Sequence, residues 1–259
     1  MMINISCVIA IAKNGFREVI RDRILYIVIF FILLLVLASR ILPAISLGTD
    51  EKIFTDLGIG AISILGALVS IFVGAGILNK EIEKKTVLVL VPKPITTIEL
   101  ILGKLLGLVA VLTVFVSVMT IVYFLMMTIS AIPYSPSILL VAIGYILLEL
   151  TLLAAIAMTF GSFTSTLLST LFTVGIYFVG HLSQDLLELG KIAESPAVKQ
   201  LTQTLYLVLP DLERFNLRNE AVYNILPASG ELLNSLFYAL LYIILLLTIT
   251  TNIFARRQF

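Results

Sequence analysis

Six segments of this chain, residues 24–42, 57–78, 105–129, 138–160, 167–182 and 232–254, are almost continuously apolar. A helix needs about 20 such residues to cross the hydrocarbon core of a bilayer, and only the first and fifth segments fall short of that. No water is present there to satisfy peptide groups, so a spanning segment must be a helix or part of a closed barrel. Barrel strands alternate apolar and polar residues over about ten positions, and no such alternation appears. With 60% hydrophobic and 13% charged residues, the chain reads as an all-α, polytopic membrane protein with six transmembrane helices in one domain, residues 1–259.

The charges then orient it. Lys13, Arg17, Arg21, Arg23, Lys80, Lys84, Lys85, Lys93, Lys104, Arg256 and Arg257 fall on one side of the six spans, eleven of the seventeen cations. The other side holds ten of the sixteen acids. The excess of Lys and Arg marks the cytoplasmic face, which places both termini in the cytosol of a cell (plasma) membrane protein. The first 23 residues lack the basic leader and apolar core of a cleavable signal peptide. At 100° per residue, Ile5, Val8, Ile9, Ala12, Phe16, Val19 and Ile20 share one arc, with Lys13, Asn14, Arg17, Glu18, Arg21 and Asp22 on the other. Such a helix, residues 1–23, is expected to lie in the membrane interface among lipid. Cys7 is the sole cysteine, which excludes an intrachain disulfide.

Residues 79–103 separate the second and third spans and concentrate lysine beside Pro92 and Pro94. Glu81 and Lys85, four apart, suit a solvated continuation of the second helix. Residues 87–91 are apolar but too few to cross a bilayer. The prolines stop a helix and hold their predecessors extended. Thr96-Thr97-Ile98-Glu99 is a capping box, so a new helix is expected to start there and run into the third span.

This order of features is specific in combination: FREVIRDRIL in an amphipathic first helix, a span ending in E-x-E-K-K-T, then P-x-P-I-T-T-I-E-L and a Gly-Lys pair, and LPDLERFNLR before the last span. It resembles the type-2 permease family of ABC exporters, closest to the branch linked to maturation of multicopper enzymes. The resemblance implies a permease that couples ATP hydrolysis in a separate ABC ATPase subunit to export. Residues 79–103 become the coupling hairpin seated on that subunit, with Glu81, Glu83, Lys85 and Thr86 transmitting and Pro92 and Pro94 shaping the contact. The chain has no G-x-x-x-x-G-K-[ST] sequence, so no cofactor is expected in it, and ATP and Mg belong to the partner. The expected assembly is a dimer, of two copies or with a sister permease. No nucleic acid is expected.

Small residues recur every fourth position at Gly66, Ser70 and Gly74 in the second span and at Ser165, Ser169 and Thr173 in the fifth. Such stripes allow helices to approach closely; in the resembled family these two spans also line the path between protomers. Glu149 is the one acid deep inside a span. An ionised acid at a helix centre costs about 2.5–3.5 kcal/mol, so it must face protein or water, as a cargo or proton contact or as a hydrogen-bonded helix contact. His181, the only histidine, has no companion for an ordinary metal site. Residues 183–230 form an extracytoplasmic loop, in which Ser195-Pro196 is expected to open a helix that Pro210 ends, a candidate lid over the exit. The alternative function, a secondary transporter or channel independent of an ATPase, has a single central carboxylate and no repeat between halves to support it.

Overall fold

The computed structural model describes residues 4–20, 24–45, 48–83, 96–193 and 195–256. Among them every regular element is helical: α1 Ile5–Ile20, α2 Ile24–Ile45, α3 Asp50–Glu83, α4 Thr97–Ile129, α5 Pro136–Gly161, α6 Thr166–His181, α7 Ser183–Ile192, α8 Pro196–Val208, a 3₁₀ turn Glu213–Phe215, α9 Arg218–Tyr223 and α10 Ser229–Arg256. Five of these (α2, α3, α4, α5, α10) are long and apolar enough to cross a membrane. A sixth crossing exists only if α6 and α7, bent by 57° at their junction, count together. The fifth apolar segment is therefore the exception to a straight span. Its 16-residue helix is about 24 Å long at 1.5 Å per residue, short of a core of about 30 Å. The multi-pass helical membrane architecture stands, with five such helices, or six where the bent pair counts as one.

At the centre lies α5, buried without interruption from Leu152 to Thr159. A helix apolar on all sides must be enclosed on all sides, and α3, α4, α6 and α10 pack around it. The outward faces of α2 and α10 remain apolar and exposed, as at Phe30, Leu33, Leu37, Leu241 and Leu245. In lipid that costs nothing, because acyl chains are as apolar as leucine. What holds such helices together is close packing and the hydrogen bonds between them.

The close packing is visible along α3 and α5, which run parallel. A Cβ added at Gly74 would lie 2.9 Å from Ala157 Cβ and 3.3 Å from the Ala154 carbonyl oxygen. One at Gly161 would meet the Ala75 carbonyl oxygen at 2.8 Å. One turn before Gly74 the buried Ser70 hydroxyl donates to the Leu150 carbonyl at 2.6 Å. From the other side Ser169 donates to the Ala157 carbonyl at 2.8 Å, which ties α6 to α5. Farther along, the Thr159 and Thr250 hydroxyls meet at 2.9 Å between α5 and α10.

The first helix does not lie free of the bundle. Val8, Gly15 and Val19 are buried, while Ile5 and Ile9 are exposed. The apolar arc is thus divided: one edge packs on α4 and the other faces outward, where the sequence suggests lipid along the whole arc. Glycines on α4 make the seat. A Cβ at Gly103 would come within 2.7 Å of Ile11, and one at Gly107 within 2.7 Å of the Ala12 carbonyl oxygen. Because the obstacle at Gly107 is backbone, Gly107→Ala should cost about 1–3 kcal/mol of packing and lift α1. Cys7, half-buried on α1 and the sole cysteine, reports this directly. Maleimide should alkylate it severalfold faster in the variant; an unchanged rate would mean that α1 is not held there.

Candidate functional site

Among the described residues, two regions gather polar side chains, one at each end of the bundle. The first is where α3 stops and α4 starts, flanking residues 84–95. Thr96 caps α4 as the sequence suggests, its hydroxyl accepting from the Glu99 N–H at 3.3 Å while Glu99 Oε2 accepts from the Thr96 N–H at 2.9 Å. Glu99 does a second job that the capping box does not reveal. Its Oε1 accepts from the Asn4 N–H at 2.7 Å, which fastens the start of α1 to the start of α4.

One turn further, Lys104 is 4% exposed at its side chain, with its Nζ donating to Glu81 Oε1 at 2.5 Å and lying 4.0 Å from Glu18 Oε2. An ammonium withdrawn from water is tolerable only beside compensating charge. Here the compensation comes from two other helices, α3 and α1. The sequence shows Lys104 as a cytosolic cation and as half of the Gly-Lys pair; a sharper signal is its place in the apolar run Leu100–Leu108, where an ionisable group needs a named partner. Of the residues assigned to coupling, Glu81 is engaged by Lys104 and Glu83 ends α3. Lys85, Thr86, Pro92 and Pro94 lie outside the described residues.

The two small-residue stripes converge on α5 rather than on each other. Gly66 faces Leu150, with 2.5 Å to Leu150 Cδ1 from an added Cβ, and Ser70 and Gly74 follow it down the same helix. On α6, Ser169 and Thr173 are fully buried, Thr173 donating to the Ser169 carbonyl at 2.7 Å. Ser165 is instead the N-cap of α6, accepting from the Leu168 N–H, so it belongs to the helix start and not to the stripe.

At the opposite end, the segment after α8 is packed into the bundle. Leu212 and Phe215 are fully buried, and the Leu212 N–H donates to the Gly180 carbonyl at 3.0 Å. Asp211, 3% exposed, organises the turn. Its carboxylate accepts from Ser183 at 2.8 Å and from Arg214 Nε at 2.9 Å, and its N–H donates to the Tyr238 hydroxyl at 3.0 Å. Burial pushes the nearby Glu213 carboxyl above the ordinary range although Asn216 donates to it. Arg218 Nη2 donates to Asp56 Oδ2 at 2.6 Å, and its Nε also meets that carboxylate. The stretch 209–218 is therefore a plug rather than a loose cover. The exposed part of the expected lid is α8, which rests on α7 where Gly190 admits Thr202.

Under this plug, Glu149 is 1% exposed. It borders a cavity of about 130 Å³ lined by α3, α5, α6 and the plug, with Ser63, Tyr177, His181, Asn216 and Arg218 in its wall. His181 Nε2 is 3.4 Å from Glu149 Oε1, and among the described residues that oxygen has no hydrogen-bond partner. Sequence reading placed Glu149 and His181 separately; their meeting depends on α5 and α6 running antiparallel. Among the described residues, no group of His, Cys, Asp and Glu could hold a metal ion.

A family model described as "ABC-2 family transporter protein" matches residues 9–259. No curated protein gives a significant match.

Proposed function

The chain belongs to the ABC-2 family of transporter proteins, and on that premise we propose that it is the permease subunit of an ABC exporter driven by a separate ATPase. Two copies, or this chain with a sister permease, form the transmembrane pathway in the plasma membrane with both termini cytoplasmic. The ATPase partner holds ATP and Mg. Residues 79–103 are its docking hairpin, with Glu83, Lys85, Thr86, Pro92 and Pro94 at the contact and Glu81 one step behind it, on Lys104.

The observation that carries this reading is the knot at the ends of the hairpin. Lys104, Glu81, Glu18 and Glu99 tie α1, the end of α3 and the start of α4 to one another. A force applied to residues between the two helices is then delivered to both at once and to α1 with them. Packed helices respond to such a force by moving as bodies, not by bending locally.

The test is to purify the intact protein in nanodiscs from its own membranes and ask whether a nucleotide-binding subunit accompanies it. An ATPase should co-purify, and should be lost on replacement of Pro92 and Pro94 or on charge reversal at Glu83, in protein that still folds. Native protein that binds no ATPase, under conditions that preserve complexes, would favour gradient-driven transport by the chain alone.

A further inference from the structure

The His181 ring is fixed by a hydrogen bond whose direction is not free. Its Nδ1 lies 3.0 Å from the Tyr177 carbonyl oxygen, and a carbonyl can only accept, so Nδ1 carries a hydrogen. In a neutral ring Nε2 is then a lone pair, and it points across 3.4 Å at Glu149 Oε1. Two acceptors facing each other need a donor between them. A single proton, on either group, meets that need poorly: the gap is wide, and Oε1 is left outside hydrogen-bond geometry. The adjoining cavity of about 130 Å³ has room for a donor of a few heavy atoms.

The charges around the pair select the sign of that donor. The 3₁₀ turn brings Glu213 within electrostatic reach of both Glu149 and His181, and Asp185 of α7 adds to Glu213. From α9 comes Arg218, but Asp56 of α3 already engages its guanidinium. From α6 comes the neutral phenol of Tyr177, and from α3 the hydroxyl of Ser63. Two acidic groups thus flank an imidazole that is not obliged to be charged, and the Arg218 cation is already engaged. That field favours a cation, and the facing acceptors favour one with several N–H groups rather than a quaternary one.

We propose that this cavity binds a primary ammonium group, which donates to Glu149 Oε1 and His181 Nε2 in place of the proton that one of them carries. Binding releases that proton. If the permease reading holds, on which this consequence rests, the cargo carries a primary ammonium, and a cavity this small takes the head of the molecule only.

His181 is the only histidine, so isotope-labelled histidine gives a single imidazole spectrum of the full chain in nanodiscs. Ethylammonium chloride is the probe, with tetramethylammonium chloride, which has no N–H to donate, as the control at equal ionic strength. The His181 nitrogen signals should move saturably with ethylammonium and not with tetramethylammonium. Glu149→Gln should abolish the response. Because one proton leaves for each ammonium bound, the apparent Kd should fall about tenfold per unit rise in pH while the pair holds its proton. This pH series needs only the native protein, and so decides the question even if Glu149→Gln does not fold. No shift, a shift shared by tetramethylammonium, or an affinity independent of pH would each overturn the proposal. None of these outcomes involves an ATPase, so failure here leaves the permease reading to its own test.

Discussion

Lys104→Met should destabilise the folded chain by about 3–5 kcal/mol, the cost expected when one partner of a buried ion pair is removed and the other stays. The variant leaves Glu81, 16% exposed at its side chain, facing an apolar group. Glu18, 39% exposed, can turn to water, so Glu81 carries most of the penalty. Glu81→Gln alone should also destabilise, because it strands the ammonium. In Lys104→Met/Glu81→Gln the stranded charge is gone, and stability should recover to well above the sum of the two losses. Unfolding by SDS in mixed micelles, followed by circular dichroism, measures all three. A double variant whose loss equals the sum of the singles would mean that the two side chains do not interact in the membrane. The functional expectation is separate. If the knot passes force from the ATPase to α3 and α4, the double variant should fold, bind the ATPase and hydrolyse ATP, yet transport poorly. Recovered transport would make the pair structural only.

The sequence was most informative where a single periodicity or a short motif decides the outcome. Twenty apolar residues can do little in a bilayer except form a helix, so α2, α3, α4, α5 and α10 could be placed from composition along the chain. Thr96 and Glu99 are three residues apart and make their bonds to each other, so the start of α4 was equally legible. The bend after His181 was not, because residues 166–192 carry no proline and only glycines that other helices tolerate. Its cause lies elsewhere in the chain: the plug packs Leu212 onto Gly180, with 2.7 Å from an added Cβ there to Leu212 Cγ, and Asp211 takes hold of Ser183. Both polar sites have the same character. Lys104 meets Glu81 and Glu18 across separations of 23 and 86 residues, and Glu149 meets His181 between antiparallel helices. Spacing in one chain can nominate such residues, but only the packing pairs them.

The stripe on α3 lends itself to a substitution that can be undone. Gly74→Ala puts a methyl group 2.9 Å from Ala157 Cβ and should cost about 1–3 kcal/mol. Adding Ala157→Gly removes the atom it strikes, leaving the Ala154 carbonyl oxygen at 3.3 Å, a contact the helices can accommodate by moving a few tenths of an ångström. Most of the loss should return. At Gly161 the same exchange is impossible, because the obstacle is the Ala75 carbonyl oxygen at 2.8 Å, and no side-chain change removes a carbonyl. Gly161→Ala should therefore cost at least as much as Gly74→Ala and resist rescue by any substitution at position 75. The same SDS titration reads both. The contrast bears on how the molecule moves. If both expectations hold, α3 and α5 form a single rigid body, and a push on the end of α3 carries α5 with Glu149 on it. If Gly161→Ala is silent in stability but alters transport, α3 and α5 part during the cycle, and the stripe is a moving surface.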